Sequence, residues 1–203
     1  MNPDTTAIIL IGYQNDYFST DGILQGVLES PARTEEVLTR TIRLIESLKD
    51  QAVTIIATPI IFSADYSEVT QAGGILAAIK EAKAFQAGQP GSETVDQIAA
   101  FGDRILEIPG KRGLNAFVQT SLLDTLQSRS ITDVIVAGAV TSICIDSTAR
   151  AAYEAGMQVT VVSDCTAART EAEQSFFCET IFPTYGTVMT SDEVIASCSS
   201  VEV

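Results

Sequence analysis

The chain has 203 residues, 46% of them hydrophobic and 19% charged, and a formal net charge of -14 from 26 acidic and 12 basic residues. That length and apolar content suit one globular α/β domain with a sizeable core rather than a disordered segment. The acidic excess repels phosphate backbones and anionic lipid heads, so nucleic acid and membrane surfaces are poor partners.

Short apolar, β-branched runs mark six strands, and helical patterns lie between them. The first strand, residues 7–11, is too short for a signal sequence and lacks a basic flank, so a cytoplasmic location is expected. It runs into Gly12-Tyr13-Gln14-Asn15-Asp16-Tyr17-Phe18. Ser30-Pro31 reads as an N-cap followed by an N1 proline and predicts a helix to about Lys49. A second strand is expected at residues 53–57. The stretch 60–101 is the least legible, with helices expected near 74–85 and 92–101 and a Gly/Pro/Ser loop at 88–92.

A weaker third strand, residues 104–107, precedes Gly110-Lys111-Arg112-Gly113-Leu114-Asn115-Ala116-Phe117. The fourth, 133–137, turns through Gly138-Ala139-Val140 into a helix from Thr141 to Ala155, stopped by Gly156. A fifth strand follows at 158–162, then a helix from Thr170 to about Ile181, ended before Pro183. The sixth strand, 187–190, leads to a short helix capped by Ser191, with Asp192 and Glu193 at its positive end. This alternation predicts a three-layer α/β/α, Rossmann-like fold on a mainly parallel six-stranded sheet, with a ligand crevice at the carboxyl ends of the strands. No G-x-G-x-x-G follows the first strand, which argues against a dinucleotide-binding domain.

The chain holds no histidine, so the commonest metal ligand and the commonest general base are both missing. Its four cysteines, at 144, 165, 178 and 198, show no C-x-x-C spacing and are expected as reduced thiols. Cys144 stands out. With Thr141 as N-cap it falls near N3 of the first helical turn, where unpaired N–H groups favour a thiolate and can stabilise an oxyanion. A cysteine is equally at home as a small buried hydrophobe, and the pattern alone leaves both readings open. Lys111 would hold the thiolate if the fold brings it beside Cys144; otherwise it is an ordinary surface lysine.

The run Gly138-Ala139-Val140-Thr141-Ser142-Ile143-Cys144-Ile145-Asp146-Ser147-Thr148-Ala149-Arg150-Ala151-Ala152 resembles the nucleophile signature of the isochorismatase-like cysteine hydrolases. Lys111 with Asn115-Ala116-Phe117 resembles that family's lysine motif, and residues 9–18 resemble its first-strand motif. The resemblance runs from about residue 7 to 195. It implies one isochorismatase-like hydrolase domain over residues 1–203, a dimeric or tetrameric assembly, and an Asp–Lys–Cys triad that cleaves a small amide or ureido compound without a cofactor. It also implies a cis peptide at Ala139–Val140, placing Ala139, Val140, Ile143 and Cys144 around an oxyanion, and a substrate pocket lined by Gln14, Tyr17 and Phe18. Plain core packing is the other reading of the two aromatics.

Two departures stand against the family pattern. Gly12 occupies the position of the triad Asp, and loss of a general base typically costs about 10²–10⁴-fold in rate. Either the chain is a weakened enzyme or a ligand-binding relic, or the glycine was introduced to silence it, or another carboxylate serves, with Asp16 the nearest in sequence. The nicotinamidase branch also carries a metal site of an Asp and histidines after the second strand. Here that place reads Ala57-Thr58-Pro59-Ile60-Ile61, so no metal is expected. The leading reading is a metal-free amide or ureido hydrolase acting through Cys144. A non-catalytic ligand-binding member of the fold and a vinyl-ether hydrolase of the isochorismatase type are the alternatives.

Overall fold

The structure is a computed structural model that describes residues 1–28, 30–70 and 73–199. Its centre is a six-stranded sheet of order β3-β2-β1-β4-β5-β6, parallel throughout, with helices on both faces. The strands are β1 Thr6–Ile11, β2 Thr54–Thr58, β3 Ile105–Glu107, β4 Asp133–Ala139, β5 Gln158–Ala167 and β6 Thr187–Met189. β1 lies between β2 and β4, and all six of its residues are buried. Its unbroken Thr-Ala-Ile-Ile-Leu-Ile run is what a strand covered on both faces requires. Among the described residues no helix is long and apolar enough to cross a membrane.

The helices are α1 Asn15–Phe18, α2 Pro31–Leu48, α3 Gly74–Ala82, α4 Asp96–Ala99, α5 Leu122–Ser128, α6 Asp146–Glu154, α7 Glu171–Phe176 and α8 Ser191–Ser199. α2 begins as its sequence predicts: the Ser30 hydroxyl oxygen accepts the Arg33 N–H, and Pro31 sits in the first turn. Val37, Leu38, Thr41, Leu44, Ile45 and Leu48 recur at helical spacing and bury one face against β5 and α8. Past its end, the Arg104 guanidinium donates to the carbonyls of Leu48, Lys49, Gln51 and Val53, tying the start of β3 to α2.

Three expectations are corrected. β5 continues five residues beyond 162, because its polar residues find partners: the Asp164 carboxylate accepts the Ser191 N–H and O–H, each at 2.7 Å, and Gln174 Nε2 donates to the Ser163 carbonyl and to Thr166 Oγ1. Ser191 is the first residue of α8 rather than its cap. Thr190 and Glu193 form a capping box instead, with Thr190 Oγ1 accepting the Glu193 N–H and the Glu193 carboxylate accepting the Thr190 N–H. Thr141 is not an N-cap either. The cap position is Val140, and Thr141 Oγ1 donates to Gln174 Oε1 at 2.6 Å.

Candidate active site

β1 and β4 end side by side, Ile11 paired with Gly138. Gly138 has φ +127°, and a Cβ there would lie 1.8 Å from the Ile11 carbonyl oxygen, so only glycine lets the two strands close at this point. The Ala139–Val140 peptide that follows is cis. The chain then makes a π turn over Thr141–Ile145 before α6. The Val140 carbonyl accepts N–H bonds from Ile143 and Ile145, one on either side of Cys144. Cys144 thus sits in the first turn of a helical segment, as predicted, although the turn is wider and the cap one residue earlier.

Lys111 arrives from the far side of β2, where it forms a parallel bridge with Ile60. Its side chain is completely buried, and Nζ donates to the Cys144 sulfur at 3.4 Å and to the Gly113 carbonyl. Cys144 itself is 4% exposed. The sulfur therefore faces an ammonium group rather than hydrocarbon alone, and both lie at the carboxyl ends of the strands. The Lys111 turn is held to α6 by Thr148 Oγ1, which accepts the Ala116 N–H. The nucleophile turn is held to α7 by the Thr141–Gln174 bond and by a Ser142–Glu173 hydrogen bond. Sequence reasoning missed Thr148, Gln174 and Glu173 as supports, and nothing in their local pattern marks them. A depression of about 560 Å³ opens between the two turns, lined by Ile75, Leu114, Asn115, Ser142, Ile143 and Arg150 among others.

Gly12 follows β1 directly and has φ +74°. A Cβ at that position would meet the Ala139 carbonyl oxygen at 2.9 Å and Tyr17 Cδ2 at 3.4 Å. The backbone here is thus in a conformation that favours glycine, and a side chain would have to displace a neighbour. Asp16 does not step in. Its Oδ2 accepts the Phe85 N–H, and its carboxyl packs against Gly91, where a Cβ would lie 2.1 Å from Oδ1.

The three expected pocket residues part ways. Gln14 is a clamp between loops: Nε2 donates to the carbonyls of Ile60 and Ser92, and Oε1 accepts the Ile60 N–H, all within 2.8 Å. Its amide is fully engaged by backbone and does not face a substrate. Phe18 is half-buried and stacks on Tyr13, centroids 5.0 Å apart. Tyr17 is 2% exposed, its ring 5.2 Å from that of Phe85. Burial, then the nearby Cys144 and then Asp16, push its phenol well above the usual tyrosine range. At the end of β2, Thr58 offers the one polar side chain of residues 57–61, and its Oγ1 donates to the Leu10 carbonyl at 3.4 Å. These residues do not fit the metal site of the nicotinamidase branch.

The isochorismatase domain model matches residues 6–193 of the chain. The uncharacterized isochorismatase family protein YecD of Escherichia coli O157:H7 is 27% identical over 201 residues, covering 96% of this chain and 97% of that protein. A cysteine hydrolase from Pseudomonas syringae pv. phaseolicola 1448A superposes with a TM-score of 0.88 at 22% identity, over 100% of this chain and 96% of the other. N-carbamoylsarcosine amidase from Thermoplasma acidophilum superposes with a TM-score of 0.72 at 19% identity, over 95% and 98% of the two chains. At such identities the structural matches speak for the fold alone, whereas the family model spans nearly the whole chain; the protein belongs to the isochorismatase family of hydrolases.

Proposed function

We propose that the protein is a metal-free cysteine hydrolase of small amide or ureido compounds, with Cys144 as nucleophile and Lys111 as its charge and proton partner. The observation that carries this reading is the 3.4 Å contact between the buried Lys111 Nζ and the Cys144 sulfur. An ammonium at that distance, together with the first turn of a helical segment, stabilises a thiolate. The fold it shares with an N-carbamoylsarcosine amidase makes amide-type chemistry the first to try.

In this reading the thiolate attacks the amide carbon and a C–S bond forms. The C–N bond then breaks, and the leaving nitrogen takes a proton from Lys111. Water cleaves the thioester, releasing the acid, and its second proton returns to Lys111 as the thiolate is restored. In the family pattern an Asp at position 12 shares this proton traffic. With Gly12 there, Lys111 carries it alone and turnover is slow.

The test joins thiol labelling to a substrate panel. Iodoacetamide at neutral pH should alkylate Cys144 ahead of Cys165, Cys178 and Cys198, and a panel of small amides, ureides and carbamoyl compounds should contain one that is hydrolysed by the wild type and not by Cys144→Ser. Equal labelling of all four cysteines would remove the activated thiol from the proposal. The glycine at position 12 favours one other reading, a ligand-binding member of the fold; tight binding of a panel compound with no turnover would select it.

A further inference from the structure

We infer that Gln174 on α7 is a positioning residue for the Cys144 nucleophile: through the Thr141 hydroxyl it fixes the wide turn that carries the sulfur to the central sheet. This rests on the reading of Cys144 as nucleophile and adds what holds that sulfur in place. A π turn takes in one residue more per hydrogen bond than an α turn; it is rare and commonly marks a functional site. The turn over Thr141–Ile145 has no side-chain cap of its own, because Val140 stands at the cap position and brings no hydroxyl. Thr141, a residue type suited to capping, is completely buried one position further on, and its Oγ1 donates to Gln174 Oε1 at 2.6 Å instead.

Gln174 can hold that hydroxyl because its own amide is pinned. Nε2 donates to the Ser163 carbonyl at 3.0 Å, to Thr166 Oγ1 at 2.9 Å and to the Cys178 sulfur at 3.4 Å. A carbonyl only accepts, so the bond to Ser163 settles which end of the amide is nitrogen and turns Oε1 to Thr141. Ser163 and Thr166 both belong to β5, which pairs with β4, the strand from which the nucleophile turn leaves. The turn is thus held from two sides of the sheet. Lys111 reaches the sulfur from the β2 side, and Gln174 reaches Thr141 from β5. Glu173 also touches the turn, through Ser142, but its other partner is Arg169, more than half exposed, so that tie ends at the surface. Without Gln174 the buried Thr141 hydroxyl must find another partner, and the first-turn N–H groups are the ones a threonine takes. The turn then narrows towards an ordinary capped helix start and carries Cys144 off the ammonium. Without the hydroxyl, the turn loses the same tie to β5.

The test is the rate at which iodoacetamide alkylates Cys144 at neutral pH, with Cys165 and Cys198 followed as buried reference thiols. Thr141→Val keeps the side-chain shape and removes the hydroxyl, and Gln174→Met keeps the length and removes the amide. Each should slow Cys144 by about tenfold, and the double variant should be no slower than either alone, because both cut one bond. Thr141→Ser restores the hydroxyl and should stay within about twofold of the wild type. A role in stability alone would instead speed the labelling of Cys165 and Cys198, as the fold opens more often. Gln174→Asn, an amide one methylene too short to reach, takes the place of Gln174→Met if that variant does not fold. A Cys144 rate unchanged or raised in the single variants, losses that add in the double variant, or a Thr141→Ser loss equal to that of Thr141→Val overturns the assignment of Gln174 while Cys144 stands. Wild-type Cys144 labelled no faster than Cys165 and Cys198 overturns the nucleophile itself, and this assignment with it.

Discussion

Cys144 and Cys165 lie near the carboxyl ends of two adjacent strands and are almost equally hidden, 4% and 0% exposed. Their surroundings differ in kind. Cys165 lies among Tyr13, Thr41 and Asp164, and burial, opposed in part by the neighbouring Thr41 hydroxyl, pushes its thiol up to about 12. Cys144 has an ammonium at 3.4 Å. Burial by itself makes a thiol inert, because the charged form loses its water. What separates the two is a partner charge buried with the sulfur. A cysteine's accessibility is thus a poor guide to its chemistry here, and its nearest cation is the better one.

The largest effect expected of any substitution is that of Cys144→Ser, which should lower hydrolysis of a panel substrate by at least about 10³-fold, while Cys165→Ser leaves the rate within about threefold. Rates measured for both variants against the same substrate check this, and comparable losses would erase the distinction between the two thiols. Lys111→Met removes the cation and keeps most of the side-chain volume. Alkylation of Cys144 at pH 7 should then slow by about 100-fold, towards the rate of Cys165. An unchanged labelling rate would mean that the helical turn alone activates the sulfur.

Gly12→Asp tests the same corner from the other side. At φ +74°, with 2.9 Å to the Ala139 oxygen, the new side chain should cost about 1–2 kcal/mol of stability, read as a lower melting temperature. The carboxylate should nevertheless raise hydrolysis by about tenfold or more, since a general base is worth about 10²–10⁴-fold when well placed. A folded variant with no gain on any panel substrate would show that the missing carboxylate does not limit the rate.

Much of this was legible in the chain itself. The unbroken apolar runs located all six strands, and the Ser30-Pro31 start of α2 was readable from capping chemistry. Cys144 and Lys111 were readable as motifs. Their meeting was not, since they are 33 residues apart and Lys111 follows an edge strand while Cys144 follows a central one. The strand order β3-β2-β1-β4 and the Ile60–Lys111 bridge bring the lysine back across the sheet. Helices α1 and α5, of four and seven residues, are too short to print a period. The polar end of β5 looked like a loop because its hydrogen-bond partners come from Ser191 and Gln174, far along the chain. Gln14 misled for the same reason: its amide serves two loops that sequence alone could not place next to it.

The quiet thiol offers the finest test of the comparison. An unfolded cysteine ionises near pH 8.5, whereas native Cys165 holds its proton up to about 12. Below pH 8 both states are protonated and the group contributes its full stability. Between about pH 9 and 12 the unfolded chain gives up the proton and the native chain does not, so stability falls as pH rises. From pH 8 to 10 the loss is about 2 kcal/mol, or roughly 4–8 °C in melting temperature for a chain of this size. Cys165→Ala removes that contribution, so its melting temperature should fall by that much less over the same interval, whatever its offset at pH 8. Parallel slopes for the variant and the wild type would mean that native Cys165 ionises as freely as an unfolded thiol, and the contrast with Cys144 would then rest on the ammonium alone.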